Sequence, residues 1–295
     1  RLGSAGALGA STAVNLNAGA LDLNGNNPTI SALTGAGVVT NGNASPSVLT
    51  VDQATNGAFQ GSIQNGTGTV ALTKQGAGTL TLSGSNTDTF SGTTSVTGGT
   101  LVLQKPGINV INGNVTIGDA NGSDILLLGA ADQIVDSAVI TMTAGGSGNS
   151  ALFRLGGFNE TIRGIATTVG AAAVIENITP DTTSTLTVDT AGNSYTYDGI
   201  IRQTGANAFF ALIKTGAGTL TLANTAAVNV NNYSGGTTIT NGKLVLENLS
   251  GFASPIAVDQ LGNDTLTINQ MTRDLVINAV ITGSGGIIKN GPGTL

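Results

Sequence analysis

The sequence predicts an all-β fold, a parallel β-helix (β-solenoid) in which short strands stack one turn above another. The first observation is an internal repeat, because residues 72–103 recur at 212–246 and begin a third time at 287–295. The second is alternation: the leucines of each copy alternate with Thr or Val, as in a strand with one apolar face. The third is composition, since 45 glycines can supply turns while 40% hydrophobic content is too high for a disordered chain.

Each copy of the repeat is interpreted as a rung of the solenoid. A short strand with two different faces cannot bury its apolar side alone, whereas stacked copies cover one another. The two complete copies open with Lys-x-Gly-x-Gly-Thr-Leu-x-Leu, continue with an aromatic residue and close with Leu-x-Leu. Phe90 precedes Leu101 by the same interval as Tyr233 precedes Leu244, so the register is kept. The gap before the aromatic residue is longer in the second copy than in the first, which places the extra residues in a surface loop.

The alternation also predicts which side chains enter the core, because successive strand residues face opposite sides. The inward set is Leu80, Leu82, Leu101, Leu103, Leu220, Leu222, Leu244 and Leu246, and the outward set is Thr79, Thr81, Thr219 and Thr221. The aromatic residues at repeat positions, also predicted to lie in the core, are Phe59, Phe90, Tyr197 and Tyr233. Tyr195 is then the aromatic side chain expected to be free for binding.

A second sequence unit precedes each lysine-glycine signature. It reads Leu-Thr-Val-Asp at 49–52 and 186–189, and Leu-Thr-Ile-Asn at 266–269. This constant order predicts three modules, residues 1–104, 105–247 and 248–295, within one continuous domain that spans residues 1–295. At about 20 to 25 residues per coil, the chain makes roughly 12 to 15 coils. We expect it to be a segment of a longer protein or a unit of an end-to-end assembly, because neither end of the sequence has a polar cap.

One stretch has a helical alternative. Apolar residues of the segment 125–139 fall at helical spacing, but Gly129 interrupts the pattern and the flanking segments resemble strands. A strand is therefore the favoured prediction there.

Charge and composition exclude several classes of function. Ten basic and 16 acidic residues give a net charge of −6 and a pI near 4.4, which disfavours a nucleic-acid partner. Cysteine and histidine are absent, so a disulfide framework, a thiol nucleophile and a Ser-His-Asp triad are excluded. The sequence has no run of about 18 apolar residues, so no membrane insertion by this segment is predicted.

The recurring lysines and acidic residues are interpreted as parts of the repeat. Lys74, Lys214 and Lys289 are expected to be solvated beside a turn or along a stacked face, and not to be catalytic amines activated by burial. Asp52 and Asp189 occupy one repeat position that is Asn269 in the third copy. Because an amide replaces the carboxylate there, a turn hydrogen bond is the predicted role.

The oxygens of Asp119, Asn121 and Asp124 form a cluster of the type that binds calcium. Stacked calcium-binding turns need tandem glycine-aspartate repeats, and this cluster occurs once. The sequence therefore predicts no metal site and no cofactor.

Enzymatic and binding roles are the alternatives to a structural one. Glycan-cleaving β-helices gather carboxylates on neighbouring coils, and the nearest pairs here are Asp132 with Asp136 and Asp181 with Asp189. Neither pair has a basic neighbour in sequence, so no catalytic residue is predicted. A binding module would instead use an exposed patch on a loop such as 193–197 or 144–149.

The repeat copies resemble a known family, the autotransporter-associated β-strand repeats, also named passenger-associated transport repeats, of bacterial surface proteins. The family pattern is Leu-x-Lys-x-Gly-x-Gly-Thr-Leu-x-Leu, aromatic-x-Gly-x-Thr and Gly-x-Leu-x-Leu, and residues 72–103 and 212–246 match it. Residues 114–137 resemble the rungs between such repeats. The resemblance implies a right-handed parallel β-helix that is secreted or displayed on the bacterial cell surface.

The sequence as a whole therefore predicts a structural β-helical rod, without catalysis, of an extracellular or surface protein. The alternatives are a module that binds carbohydrates or host surfaces as an adhesin, and a β-helix polysaccharide lyase or hydrolase. The predicted partners are the continuing chain or identical rods stacked end to end, and surface glycans or host surfaces.

Overall fold

The fold is all-β and consists of parallel strands stacked as a solenoid, which confirms the predicted fold class. A computed structural model of the chain describes residues 1–295 except 146–147, 170–171, 224–230, 250, 260–263, 272–273, 278 and 295. Within these residues, helical structure is limited to a 3₁₀ turn at Ala5–Ala7. No described helix has the length and apolar character that crossing a membrane requires.

The described residues form 32 short strands. In chain order they are β1 (Ala13–Leu16), β2 (Ala20–Asp22), β3 (Thr29–Ile30), β4 (Ala32–Gly35), β5 (Val38–Thr40), β6 (Ser47–Asp52), β7 (Gly57–Phe59), β8 (Ser62–Ile63), β9 (Val70–Gln75), β10 (Thr79–Ser83), β11 (Thr94–Val96), β12 (Gly99–Gln104), β13 (Val115–Ile117), β14 (Ser123–Leu128), β15 (Val139–Thr143), β16 (Ser150–Arg154), β17 (Glu160–Ile162), β18 (Gly164–Val169), β19 (Ala173–Asn177), β20 (Thr183–Asp189), β21 (Ser194–Asp198), β22 (Ile200–Gln203), β23 (Phe209–Thr215), β24 (Thr219–Ala223), β25 (Thr237–Ile239), β26 (Lys243–Glu247), β27 (Gly251–Phe252), β28 (Ile256–Val258), β29 (Thr265–Asn269), β30 (Val276–Ile277), β31 (Ile281–Gly283) and β32 (Gly286–Asn290).

The strands pair in parallel along three faces. Face A is the longest sheet, with nine strands in the order β1-β4-β7-β10-β12-β14-β16-β19-β22. Face B is the sheet β18-β15-β13-β11-β9-β6-β3, and it continues where β18 packs beside β21 in the sheet β21-β24-β26-β29-β32. Face C contains β2-β5-β8 and, further along, β17-β20-β23-β25-β28-β31. Neighbours on one face belong to successive turns of the chain.

The core is a set of inward ladders that run along the solenoid. Leu80 pairs with Leu101, Leu101 with Leu126, and Leu126 with Phe153, and all four side chains are fully buried. All eight leucines predicted to point inward are at most 1% exposed, and the four predicted outward threonines are partly exposed. The strand alternation is therefore confirmed residue by residue.

The aromatic residues at repeat positions also lie in the core, because Phe59, Phe90, Tyr197 and Tyr233 are at most 1% exposed. The expectation for Tyr195 was wrong. This side chain is partly buried against the core, and its ring lies where a Cβ on Gly164 would approach within 2.5 Å. The ring packs there because β21 follows β18 on the same face.

Face B stacks 12 strands, from β3 to β32, when the contact between β18 and β21 is included, so the number of turns is close to the lower end of the predicted range. The length of a turn varies along the rod. Ala13 pairs with Ala32 near one end, whereas Ser123 pairs with Ser150 in the middle, a step that is longer than the range assumed from the sequence.

The stretch 125–139 contains the end of β14 and the start of β15, so the strand interpretation is confirmed there. Strand pairing also runs across both proposed module boundaries, through β12 with β14 and through β26 with β29. The division into three modules stays a prediction.

The two complete repeat copies occupy different corners of the rod. Lys74 lies in β9 on face B, and the next strand, β10, lies on face A. Lys214 lies in β23 on face C, and the next strand, β24, lies on face B. The interval between the copies is not a whole number of turns, so the second copy is rotated around the axis by one face.

Candidate functional site

The lysines of the repeat occupy inward-facing strand positions. In β9, alternation places Val70, Leu72 and Lys74 on one buried side, and β23 has the same pattern with Lys214 at its end. The chain then turns at a glycine with positive φ, 73° at Gly76, a conformation that side-chain-bearing residues resist. The lysine side chain therefore ends inside a tight corner that is lined by backbone carbonyl groups.

Each of these lysines fills a cage of three carbonyl oxygens. The Nζ of Lys74 donates to the carbonyl oxygens of Gln75 at 2.6 Å, Gly76 at 2.7 Å and Gly98 at 2.9 Å. The first two acceptors belong to the turn of the lysine, and Gly98 belongs to the next turn. All three ammonium protons thus have an acceptor, which is the full donor capacity of a lysine.

The second copy repeats the cage. The Nζ of Lys214 donates to the carbonyl oxygens of Thr215 at 2.8 Å, Gly216 at 2.7 Å and Asn241 at 2.9 Å. Both caged lysines are 0% exposed, so the expectation of solvated side chains was wrong for them. The physical reason is that three carbonyl acceptors replace water around the ammonium group.

Burial shifts the proton equilibrium of the caged lysines. Desolvation lowers the pKa of Lys74 and of Lys214 to about 8, and nearby carboxylates oppose the shift. Lys289, the third recurring lysine, is exposed and donates to the carbonyl oxygens of Asn290 and Gly291. Its position agrees with the solvated lysine that the sequence predicted.

An aspartate lies over each caged lysine from two turns further on. Asp124 pairs with Gly99, and it acts electrostatically on Lys74. Asp264 accepts a hydrogen bond from the backbone N–H of Gly242 at 2.9 Å and acts in the same way on Lys214. The sequence interpretation missed Asp264, although its place just before Thr265 in β29 is equivalent to that of Asp124.

Both aspartates are nearly fully buried, at 1% and 2% exposure. Asp124 Oδ1 and Asp264 Oδ2 are buried oxygen atoms with no hydrogen-bond partner in the part of the chain that the structure describes. Burial raises the pKa of Asp124 to about 6, and the neighbouring carboxylate of Asp119 adds to this upward shift. A buried acceptor without a donor lowers the stability of a protein and is rare in folded structures. These two oxygens therefore distinguish the corners as candidate binding sites.

Open grooves lie beside these corners on the rod surface. The groove at the first corner, which we name corner groove 1, has a volume of about 630 Å³. Its lining is Gly76, Ala77, Thr97, Gly98, Gly99, Thr100, Asn121, Gly122, Ser123, Asp124 and Ile125. Corner groove 2, of about 340 Å³, is lined by Ala217, Thr219, Asn241, Gly242, Lys243 and Thr265. Each groove is lined by residues of a repeat corner and by residues of the turns stacked on it.

The acidic repeat position behaves differently in its three copies. The Oδ1 of Asp189 accepts a hydrogen bond from the backbone N–H of Ala191 at 3.1 Å, which is the predicted turn interaction. Asp52 is exposed and acts electrostatically on Lys74. The Oδ1 of Asn269 accepts a hydrogen bond from the side chain of Asn290 at 3.0 Å, one turn further on.

Two of the residues considered as a calcium site, Asp119 and Asp124, lie close enough to interact electrostatically. The Oδ1 of Asp119 accepts a hydrogen bond from the N–H of Asn121 at 2.9 Å in the exposed loop. Asp124 instead lies buried in the corner. Among the described residues, no group of three or more acidic, histidine or cysteine side chains is arranged to hold a metal ion.

The carboxylates considered for catalysis lie at exposed or partly exposed turns. Asp132 and Asp181 have left-handed backbones, with φ of 52° and 56°. Asp181 accepts a hydrogen bond from the side chain of Asn207 at 2.9 Å, and Asp136 is exposed. Asp189 is used in its own turn.

Two buried ionic groups were missed by the sequence interpretation. Lys105 Nζ lies 2.5 Å from Asp88 Oδ2, and both side chains are 1% exposed. Glu176 is held between Arg154 and Arg202, each at 2.8 Å, in one outward column of face A. Only the register of stacked turns brings these residues together, so no local sequence signal could have identified them.

A further buried acid, Glu160, accepts hydrogen bonds from the backbone N–H groups of Gln133 at 2.8 Å and Thr161 at 3.1 Å. Burial nevertheless raises its pKa to about 8. Like the ionic groups above, it joins neighbouring turns, and it is not among the residues that line the two corner grooves.

The fold and these corners define a class of protein, a parallel β-solenoid rod whose turns are tied together by buried polar groups. The comparison with protein families is specific: the model of the passenger-associated-transport-repeat matches residues 72–103 and 212–246. These two segments are passenger-associated transport repeats, and the resemblance found in the sequence is confirmed. Neither a curated protein nor a solved structure matches the chain.

Proposed function

We propose that the chain is a structural rod of a bacterial surface or secreted protein and has no catalytic activity. The observation that carries this proposal is how the buried polar groups are used. The caged lysines, the Lys105–Asp88 pair and Glu160 each bond to a neighbouring turn. Such groups stabilise the stack, whereas an enzyme needs some of them directed at a substrate. The two repeats add support, because their family implies display or secretion.

The location is tested with antibodies raised against the 295-residue chain. Intact cells of the source organism, or their culture medium, are expected to bind the antibody, and external protease should remove the signal from the cells. Antigen that is detected only after cell lysis would contradict a surface or secreted protein.

The absence of catalysis is tested by incubating the chain with acidic and neutral polysaccharides. We expect no release of reducing ends or unsaturated products. A turnover that disappears in Asp132→Asn or Asp181→Asn would show that a glycan-cleaving enzyme is the correct interpretation.

We also propose that a further rung of the same kind stacks on β32. Its residues Ile287 and Ile288 are 52% and 41% exposed, whereas equivalent strands inside the rod are covered. Within the described residues, Lys289 donates to two carbonyl oxygens, while Lys74 and Lys214 obtain a third from the next turn. A parallel rung would place a carbonyl group there.

Sedimentation over a range of concentrations tests whether that rung can come from an identical rod. Self-association is expected, and Ile287→Lys should reduce it by placing a charge on the stacking face. Monomers at every concentration would contradict stacking between identical rods. Two further proposals are that the rod forms filaments and that it binds glycans as an adhesin.

A further inference from the structure

The two corner grooves differ at one register position. Thr79 pairs with Thr100 in the first copy, and Thr219 pairs with Lys243 in the second. Lys243 therefore stands in the second copy where Thr100 stands in the first, and each residue lines its own groove. The groove with threonine is about 630 Å³, and the groove with lysine is about 340 Å³. The first corner thus has space where the second has a lysine side chain.

The two corners also differ in charge. At the first corner, Lys74 interacts electrostatically with the carboxylates of Asp52 and Asp124, and Asp119 interacts with Asp124, so these four described groups have a summed charge of −2. At the second corner, Lys214 interacts with the carboxylates of Asp189 and Asp264, and Lys243 in the groove wall brings the summed charge of these four described groups to zero. A positively charged ligand in corner groove 1 would therefore bring the summed charge of the first corner closer to the zero of the second.

Within the described residues, both corners have an unused acceptor, Asp124 Oδ1 at the first and Asp264 Oδ2 at the second. Asp124 lines corner groove 1, is 1% exposed, and its Oδ1 has no hydrogen-bond donor in the described part of the chain. The three protons of Lys74 are already directed at carbonyl oxygens, so this lysine cannot supply the donor. A ligand with strong donors would satisfy Asp124 and remove the cost of a buried, unpaired carboxylate oxygen.

We propose that corner groove 1 binds an alkylammonium group, with Asp124 as its charged partner and the hydroxyl groups of Thr97, Thr100 and Ser123 as neutral acceptors. The ligand chemistry is that of the lysine side chain which the second copy carries in its own groove wall. A free amine and the lysine side chain of another polypeptide share this chemistry. A sugar ligand fits less well, because none of the described residues that line the groove has an aromatic side chain to stack against a ring.

The test is an NMR titration of the full 295-residue chain at pH 7.5, following the backbone amides of Gly98, Gly99, Gly122 and Ser123. The probes are n-butylammonium chloride for a free amine and N-acetyl-lysine amide for a lysine side chain. Neutral 1-butanol and calcium chloride serve as comparison probes. Saturable shifts with either amine, and none with 1-butanol or calcium, are expected. The tighter of the two amines identifies the source.

Exchanging the two register-equivalent residues gives the matched variants. Thr100→Lys should weaken amine binding at the first corner at least tenfold, because the new side chain occupies the groove and supplies its charge. Lys243→Thr should create saturable binding at the second corner, seen at the amides of Asn241 and Gly242. Both residues are native to this strand position, so the exchange is compatible with the fold.

Asp124→Asn tests the charged partner and should also weaken binding at least tenfold. Because burial raises the pKa of Asp124 to about 6, binding to the native chain should weaken below that pH, as the carboxylate is protonated. The proposal is overturned by an absence of saturable shifts, by an equal response to 1-butanol, by a response to calcium alone, or by unchanged binding in Thr100→Lys.

Discussion

Lys74 Nζ lies 2.9 Å from the carbonyl oxygen of Gly98, which follows it by 24 residues and belongs to the next turn of the rod. The same bond joins Lys214 to Asn241 across 27 residues. One side chain therefore satisfies two carbonyl groups of its own turn and one of the turn above it. The lysine of the repeat is a link between turns, and the two residues that follow it in sequence provide the two acceptors of its own turn.

Replacing a caged lysine should destabilise the rod strongly. In Lys214→Met, the carbonyl oxygens of Thr215, Gly216 and Asn241 lose their buried donor, and we expect a loss of about 2 to 5 kcal/mol in the free energy of unfolding. The matched control is Lys243→Met in β26 of the same repeat copy, where the lysine is partly exposed, with an expected change under about 0.5 kcal/mol. Urea unfolding measures both. Similar losses in the two variants would show that the cage is not what stabilises the corner.

The burial of these lysines follows from a pattern in the sequence, but the expectation of exposure was wrong. Val70, Leu72 and Lys74 occupy alternate positions of β9 and therefore face the same side of the strand. The alternation that places the leucines in the core places the lysine there too. The expectation of a solvated side chain followed the usual cost of burying an ammonium group. It failed because three carbonyl acceptors lie within 2.9 Å, and local sequence does not show where the carbonyl of Gly98 will lie.

Other features depend on the length of each turn and could not be predicted. Asp124 lies over Lys74, and Lys105 contacts Asp88, only because of how many residues the intervening turns contain. Turn length varies along the rod, since paired strands such as β2 and β5 are separated by a much shorter segment than β14 and β16. Strand alternation does not depend on the length of a turn, which is why the core leucines and aromatic residues were predicted correctly. The contacts between side chains at the corners do depend on it.

The alternation itself can be tested with two neighbouring residues of β24. Leu220 is 0% exposed and Thr221 faces outward, so Leu220→Ala leaves a cavity in the core while Thr221→Ala does not. We expect a loss of about 2 to 5 kcal/mol in unfolding free energy for Leu220→Ala and under about 1 kcal/mol for Thr221→Ala. Chemical denaturation followed by circular dichroism provides the measurement. Equal costs at the two positions would refute the assignment of an inner and an outer face.

The stability of the rod should fall as the pH rises from about 4.5 to about 8. Burial raises the pKa of Glu160 from 4.5 in the unfolded chain to about 8, so the folded state binds more protons in this interval. The contribution of this raised pKa to the unfolding free energy is fully present below pH 4.5 and is lost as the pH rises through 8. One such group gives a slope of at most about 1.4 kcal/mol per pH unit.

Glu160→Gln isolates this group, because glutamine does not titrate. The unfolding free energy of the variant, measured at intervals from pH 5 to 8, should depend less on pH than that of the native chain. Identical pH profiles would mean that Glu160 is ionised in the folded protein at neutral pH.

The two copies of the repeat differ at their aromatic position, and this difference provides a reciprocal test. The hydroxyl of Tyr233 donates to Thr237 Oγ1 at 2.8 Å, and Thr237 in turn donates to Ser254 Oγ at 3.0 Å. Phe90 stands at the same position of the first copy, and it has the same spacing to Thr94, whose buried Oγ1 has no partner in the described residues. Tyr233→Phe should therefore cost about 1 kcal/mol by leaving Thr237 without its donor. Phe90→Tyr should raise the unfolding free energy by up to about 1 kcal/mol, because the new hydroxyl can donate to Thr94. Thermal and urea unfolding of both variants check the pair, and a Phe90→Tyr chain that is clearly less stable would show that the corner of the first copy has no space for the hydroxyl.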